Sequence, residues 1–175
     1  MSCDPFPMAP ILDEHTLDFV SRSPEQTQRL GTHLGALLQG GDVVCLEGPL
    51  GSGKTCFAQG IGRGWGIGHP LISPTFVLIR QYTRPGNAVT LYHVDFYRLA
   101  GADEALDLGI AEFLGDARAV CVIEWAERAR PLAPPDHLWV KLEFAERTRR
   151  TLCFVAHGAR HTALLRDFRR VAFGA

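Results

Sequence analysis

Lysine is nearly missing from this chain: its 175 residues include 16 arginines but only two lysines, Lys54 and Lys141. Also missing is any apolar run approaching the ~18–20 residues of a membrane-spanning helix, so no membrane association is expected. The opening residues, Met1-Ser2-Cys3-Asp4-Pro5-Phe6-Pro7, lack the basic region and long apolar segment of a secretion signal, and a cytoplasmic location is expected. Five scattered cysteines form no C-x-x-C pair, which fits reduced thiols rather than a disulfide framework or a paired metal site. Net charge is only −1, which argues against bulk nucleic-acid binding. The charge is uneven, however: residues 1–125 sum to −6 and residues 126–175 to +5. That basic C-terminal part is read as a solvated surface in preference to an RNA-binding face.

Against this background one of the two lysines stands in an informative place. Residues 48–55 read Gly48-Pro49-Leu50-Gly51-Ser52-Gly53-Lys54-Thr55, a full match to G-x-x-x-x-G-K-[ST]. The apolar run Val43-Val44-Cys45-Leu46 precedes it, and Phe57, Ile61 and Trp65 follow at helical spacing. Strand, glycine loop and helix start together make a phosphate-binding loop. Glycines let backbone N–H groups converge on anionic oxygens, and the helix beginning there adds its positive dipole end. Lys54 is placed to reach the β- and γ-phosphates, and the Thr55 hydroxyl to ligate Mg²⁺.

With 46% hydrophobic content, the chain suits one domain with a sizeable core. Residues 1–22 read as a loose N-terminal extension and 23–175 as a single domain built on the phosphate loop. Ser23, Pro24 and Gln26 mark a helix start. Leu30, Leu34, Leu37 and Leu38 give it a buried stripe, and Gly40-Gly41 is expected to end it. The helix after the phosphate loop is expected to be weak in its later half, since Gly60, Gly62 and Gly64 each lower propensity by roughly 1 kcal/mol. Residues 75–84 and 88–95 read as strands joined by Pro85-Gly86-Asn87 in an antiparallel hairpin. A helix is expected over 103–114, strands over 119–123, 137–144 and 151–156, and a closing helix over 164–170. The resulting fold class is α/β, a three-layer phosphate-loop NTPase fold with a mixed, mainly parallel sheet that includes an antiparallel hairpin.

A phosphate loop needs an acid at the end of a neighbouring strand. Asp95 ends one such run and Glu124 another. Either suits Mg²⁺, directly or through water, and either suits the attacking water; a capping or ion-paired role is the bland alternative for both. Trp125 adjoins Glu124, as core packing or as a fluorescent reporter of nucleotide. Ser73-Pro74-Thr75 occupies the linker where a γ-phosphate-sensing segment would lie, though a plain turn fits the spacing equally. Arg98 is expected to pair with Glu104 in preference to neutralising transition-state charge. Cys153, His157 and His161 do not make a metal site, because the first belongs to a strand and Gly158 interrupts the run.

In this ordered set the chain resembles the TsaE (YjeE) family, bacterial P-loop ATPases of tRNA threonylcarbamoyladenosine biosynthesis. The residues that carry the resemblance are Gly48-x-x-Gly51-x-Gly53-Lys54-Thr55, Ser73-Pro74-Thr75, His93-Val94-Asp95-Phe96-Tyr97-Arg98-Leu99, Leu108-Gly109-Ile110 and Ile123-Glu124-Trp125-Ala126-Glu127. The resemblance implies a slow Mg²⁺-dependent ATPase that supports a separate carbamoyl-transferring catalytic subunit and its inactive paralogue. That complex modifies adenosine 37 of tRNAs reading codons that begin with A, and tRNA contact is expected to be indirect, through the complex. Leu50, Gly51, Ser52, Gly53, Lys54, Thr55 and Cys56 form the implied ATP-binding set. Lys54, Asp95 and Glu124 are the implied catalytic residues, Thr55, Glu124 and Asp95 the metal ligands, and Ser73–Thr75 the switch. Pro49 and Cys56 depart from residues common in the family, and the backbone cradle requires neither side chain. Two other readings are a small-molecule kinase and an ATP-bound tRNA- or protein-binding module. The stretch from Glu112 to Arg130 is too short and apolar for a kinase lid.

Overall fold

In a computed structural model, described here for residues 13–76 and 78–174, seven strands form one sheet. The strands are β1 (Thr16–Ser21), β2 (Val43–Glu47), β3 (Ile79–Tyr82), β4 (Thr90–Asp95), β5 (Ala119–Glu124), β6 (His137–Phe144) and β7 (Arg150–His157). Their spatial order is β1-β7-β6-β2-β5-β4-β3. The central strands β6, β2, β5 and β4 run parallel, and the flanking pairs β1–β7, β7–β6 and β4–β3 are antiparallel.

Alternation on the central strands explains the layers. Val44 and Leu46 of β2 and Val120 and Val122 of β5 face one side. There they meet α1 (Pro24–Gly35), α2 (Lys54–Trp65) and α4 (Gly158–Phe173) through Leu34, Phe57, Ile61, Trp65 and Phe168. Val43, Cys45, Cys121 and Ile123 face the other side, against α3 (Ala102–Asp107) and two 3-10 segments, Ile110–Glu112 and Ala126–Leu132. Among the described residues, no helix is long and apolar enough to cross a membrane.

Several elements differ from the sequence reading. Residues 16–21 are not part of a loose extension: β1 pairs along its length with β7, from Thr16↔Val155 to Ser21↔Arg150. Residues 1–12 of that expected extension lie outside the described residues. The helix begun at Ser23, which accepts from Gln26 N–H at 3.1 Å, ends at Gly35 rather than at Gly40. The expected strand 75–84 shrinks to β3, because Thr75 turns its hydroxyl to Asp95 and Leu78 adopts φ 70°. The helix expected over 103–114 breaks where Gly109 takes φ 76°, leaving α3 and a 3-10 turn. The closing helix begins at Gly158, six residues early, and buries His161, Leu164, Leu165 and Phe168 at helical spacing.

Two of the glycines of α2, Gly60 and Gly64, meet a packing need. They let the helix cross α1 with backbones in contact: a β-carbon at Gly60 would stand 2.1 Å from the Gln28 carbonyl oxygen, and one at Gly64 2.0 Å from that of Thr32. This crossing fixes the starts of both helices, which flank the site described next.

Candidate functional site

The buried strand β2 delivers the chain into the loop Gly48–Gly53 at the carboxyl edge of the sheet. Gly51 and Gly53 take φ of 77° and 103°, the left-handed region that glycine enters without a Cβ penalty. Helix α2 then starts at Lys54, and among the described residues no side chain caps it. Its first N–H groups therefore face the loop, with the positive end of the helix dipole behind them. Lys54 is 4% exposed. Its Nζ donates to the carbonyls of Gly48 (2.5 Å) and Pro49 (3.0 Å) and lies 3.9 Å from the Trp125 ring centroid. Burial pushes the ammonium pKa down, while Glu124, Glu127 and Asp95 pull it up without cancelling the shift.

Register brings the two strand-end acids to this loop. Glu124 of β5 lies opposite Leu46 of β2 and opposite Asp95 of β4. Thr55 Oγ1 donates to Glu124 Oε2 at 2.8 Å, and Glu124 Oε1 is 2.8 Å from His93 Nε2. Asp95 accepts from Thr75 Oγ1 at 2.9 Å through one oxygen and from Tyr97 N–H at 2.7 Å through the other. Burial raises the Asp95 carboxyl despite these two donors, and the nearby Glu124 charge adds to the rise.

Ser73 and Thr75 share a hydroxyl–hydroxyl bond at 2.7 Å, so the expected switch segment is tied to Asp95. The Pro74 carbonyl accepts from Leu78 N–H. Trp125 adopts φ 58° and packs between Lys54 and Tyr97, whose ring centroid is 5.0 Å from its own. Leu50 is exposed, and the buried Ser52 Oγ has no partner among the described residues. Cys56 faces the start of α1, donating to the Pro24 carbonyl at 3.2 Å, and burial raises its thiol pKa.

Arg98 is not paired with Glu104. Its guanidinium stacks 4.5 Å from the Phe76 ring centroid, while Glu104 accepts from Ala100 N–H at 3.0 Å. The Cys153–His157–His161 stretch is structural. His157 stacks on His137 with centroids 4.4 Å apart, and His161 takes Val43 N–H on Nε2 at 3.2 Å. Among the described residues no group of three or more metal-ligating side chains is gathered.

A cavity of about 590 Å³ opens from Lys54, Thr55 and Glu124 toward two walls that the sequence reading missed. One wall is Arg22, Ser23, Pro24 and Thr27 at the β1–α1 junction; the other is Arg147, Thr148 and Arg150 at the β6–β7 turn. The basic C-terminal part is the sequence signal for the second wall alone, and only folding shows which of its arginines reach the site. Glu127, which the sequence marks only as the end of the motif after β5, has its Oε2 buried without a partner among the described residues, and burial raises its carboxyl.

A family model described as "Threonylcarbamoyl adenosine biosynthesis protein TsaE" matches residues 21–152. The tRNA threonylcarbamoyladenosine biosynthesis protein TsaE of Treponema pallidum is 46% identical over 115 residues, covering 66% of this chain and 82% of its own. That of Bacillus subtilis is 36% identical over 148 residues, covering 85% and 90%. The crystal structure of Bacillus subtilis YdiB superposes with a TM-score of 0.72 at 32% identity, covering 89% of this chain and 95% of that one.

Proposed function

Because the chain belongs to the TsaE family of threonylcarbamoyl adenosine biosynthesis proteins, we propose that it binds Mg²⁺·ATP at the Gly48–Thr55 loop and hydrolyses it slowly. Hydrolysis supports a threonylcarbamoyl-transferring complex that acts on adenosine 37 of tRNA. The observation that carries this reading is the meeting of Lys54, Thr55, Asp95 and Glu124 at the carboxyl ends of three adjacent parallel strands. The donor set suits the metal: one hydroxyl and two carboxylates are hard oxygen ligands of the kind Mg²⁺ takes. Thr55 and Glu124 would hold the ion, with Asp95 supporting it or its water, and the bound ion would neutralise charge on the β- and γ-oxygens.

The chain's own residues divide the remaining work. The loop N–H groups and Lys54 bind the phosphates. Asp95, held by Thr75 and the Tyr97 N–H, orients water, and Thr75 couples that acid to the Ser73–Thr75 segment. Turnover of the isolated chain is slow on this reading, and the carbamoyl-transferring subunits stimulate it. Positive charge in the C-terminal third is partly engaged already: Arg130 pairs with Glu47 at 2.6 Å, Arg160 with Asp42 at 2.7 Å, and Arg147 and Arg150 line the cavity. This favours indirect over direct tRNA contact. The test is ATP hydrolysis with and without the catalytic subunit and its paralogue, repeated with Lys54→Ala and Glu124→Ala. Full-speed turnover without partners, or hydrolysis that survives both substitutions, refutes the proposal.

A further inference from the structure

His93 has no solvent exposure, yet it presents a polar ring. On β4 it shares a face with Asp95, since side chains two apart point the same way. Across the parallel β4–β5 pair it lies opposite Val122, one diagonal step from Glu124. Its Nε2 is 2.8 Å from Glu124 Oε1, and both side chains are essentially buried, at 0% and 2% exposure. A carboxylate oxygen only accepts, so Nε2 carries the ring proton and donates it. Nδ1 is buried and has no partner among the described residues.

A histidine kept for packing alone would be a poor choice here, because leaving a buried polar atom unsatisfied costs about 1–3 kcal/mol. Among the described residues the ring's one hydrogen bond goes to Glu124, whose other oxygen accepts from Thr55 Oγ1 at 2.8 Å. A glutamate has three side-chain torsions, and without a second hold its carboxylate is free to turn toward the nearby Lys54 ammonium. We infer that His93 is a positioning residue: its Nε2–H pins Oε1 of Glu124, so that Oε2 stays beside Thr55 where Mg²⁺ is to be held. This rests on the Mg²⁺·ATP reading above. Outer hydrogen-bond partners of metal-binding groups typically set metal affinity by roughly 10–100-fold, and that is the effect expected here.

Two substitutions separate this role from packing. Gln places an N–H the same number of bonds from Cβ as Nε2, whereas Asn places it at the Nδ1 position, out of reach of Glu124. ATP binding to the whole chain is measured by calorimetry, first in EDTA and then with Mg²⁺ titrated in, for wild type, His93→Gln, His93→Asn and His93→Leu. The expected result is metal-free ATP affinity near wild type in every variant, which reports an intact phosphate loop. Half-maximal Mg²⁺ should stay near wild type in His93→Gln and rise roughly 10–100-fold in His93→Asn and His93→Leu. If His93→Leu does not fold, the Gln and Asn pair decides alone. Equal Mg²⁺ requirements in Gln and Asn variants, or an unchanged requirement in Asn and Leu variants, overturn the inference. A wild-type chain indifferent to Mg²⁺ overturns the metal-site reading itself, and it does so before any substitution is made.

Discussion

Gly60→Ala tests the crossing that sets the two helices beside the phosphate loop. A β-carbon at this position would stand 2.1 Å from the Gln28 carbonyl oxygen and 3.0 Å from the Gly31 Cα. Ordinary contact requires the helices to part by roughly 1 Å, which forfeits dispersion contacts along the whole crossing. Overpacking of this kind costs about 1–3 kcal/mol, whereas alanine in place of glycine in a free helix gains about 1 kcal/mol of propensity. The upper part of the first range applies, because the obstacle is backbone and not a side-chain tip that can turn aside. A net loss of about 2 kcal/mol lowers the Tm of a chain this size by about 4–8 °C. Thermal unfolding followed by circular dichroism checks it. Gly68→Ala serves as the control, since nothing lies within 4 Å of a β-carbon there. A Tm that rises or stays level in Gly60→Ala refutes the reasoning, because propensity would then outweigh the crossing.

Three further outcomes follow from the site. Lys54→Ala removes the charge-assisted contact to phosphate and should weaken ATP binding by roughly 10–100-fold in calorimetry; undiminished affinity contradicts the placement. Thr75→Ala cuts the link between Ser73 and Asp95 and should lower turnover about tenfold with ATP affinity retained; equal losses in both would mean that Thr75 supports binding instead. Asp95→Asn concerns pH: burial holds this carboxyl above its ordinary range, so its ionised form destabilises the fold. That penalty is full above the raised pKa and vanishes below the unfolded one. The Asn variant should therefore raise Tm at about pH 7, gain nothing near pH 3, and lose hydrolysis. A lower Tm at neutral pH would show that burial is not the dominant influence on Asp95.

What could be read in the residue order was local. Gly48–Thr55 announces itself because phosphate cradling demands consecutive residues, and Asp95 and Glu124 were findable as acids closing apolar runs. Strand β1 was not, since Thr16–Ser21 follows a proline-rich stretch and its partner β7 lies more than 120 residues away. The packing role of Gly60 and Gly64 was hidden for a related reason. Propensity sees a helix alone, whereas Gly60 and Gly64 answer to the backbone of α1. Arg98 was assigned by sequence proximity to Glu104, and folding gave it the Phe76 ring instead. The far walls of the cavity come from Arg22–Thr27 and Arg147–Arg150, and no spacing rule links those segments.

The Lys54 ammonium already spends two of its three donors on the Gly48 and Pro49 carbonyls. On the Mg²⁺·ATP reading proposed above, an arriving triphosphate would displace internal acceptors instead of meeting an idle cation, and its affinity would be the difference between the two sets of bonds. Anything that draws those carbonyls away from Nζ would tighten nucleotide binding without touching the nucleotide.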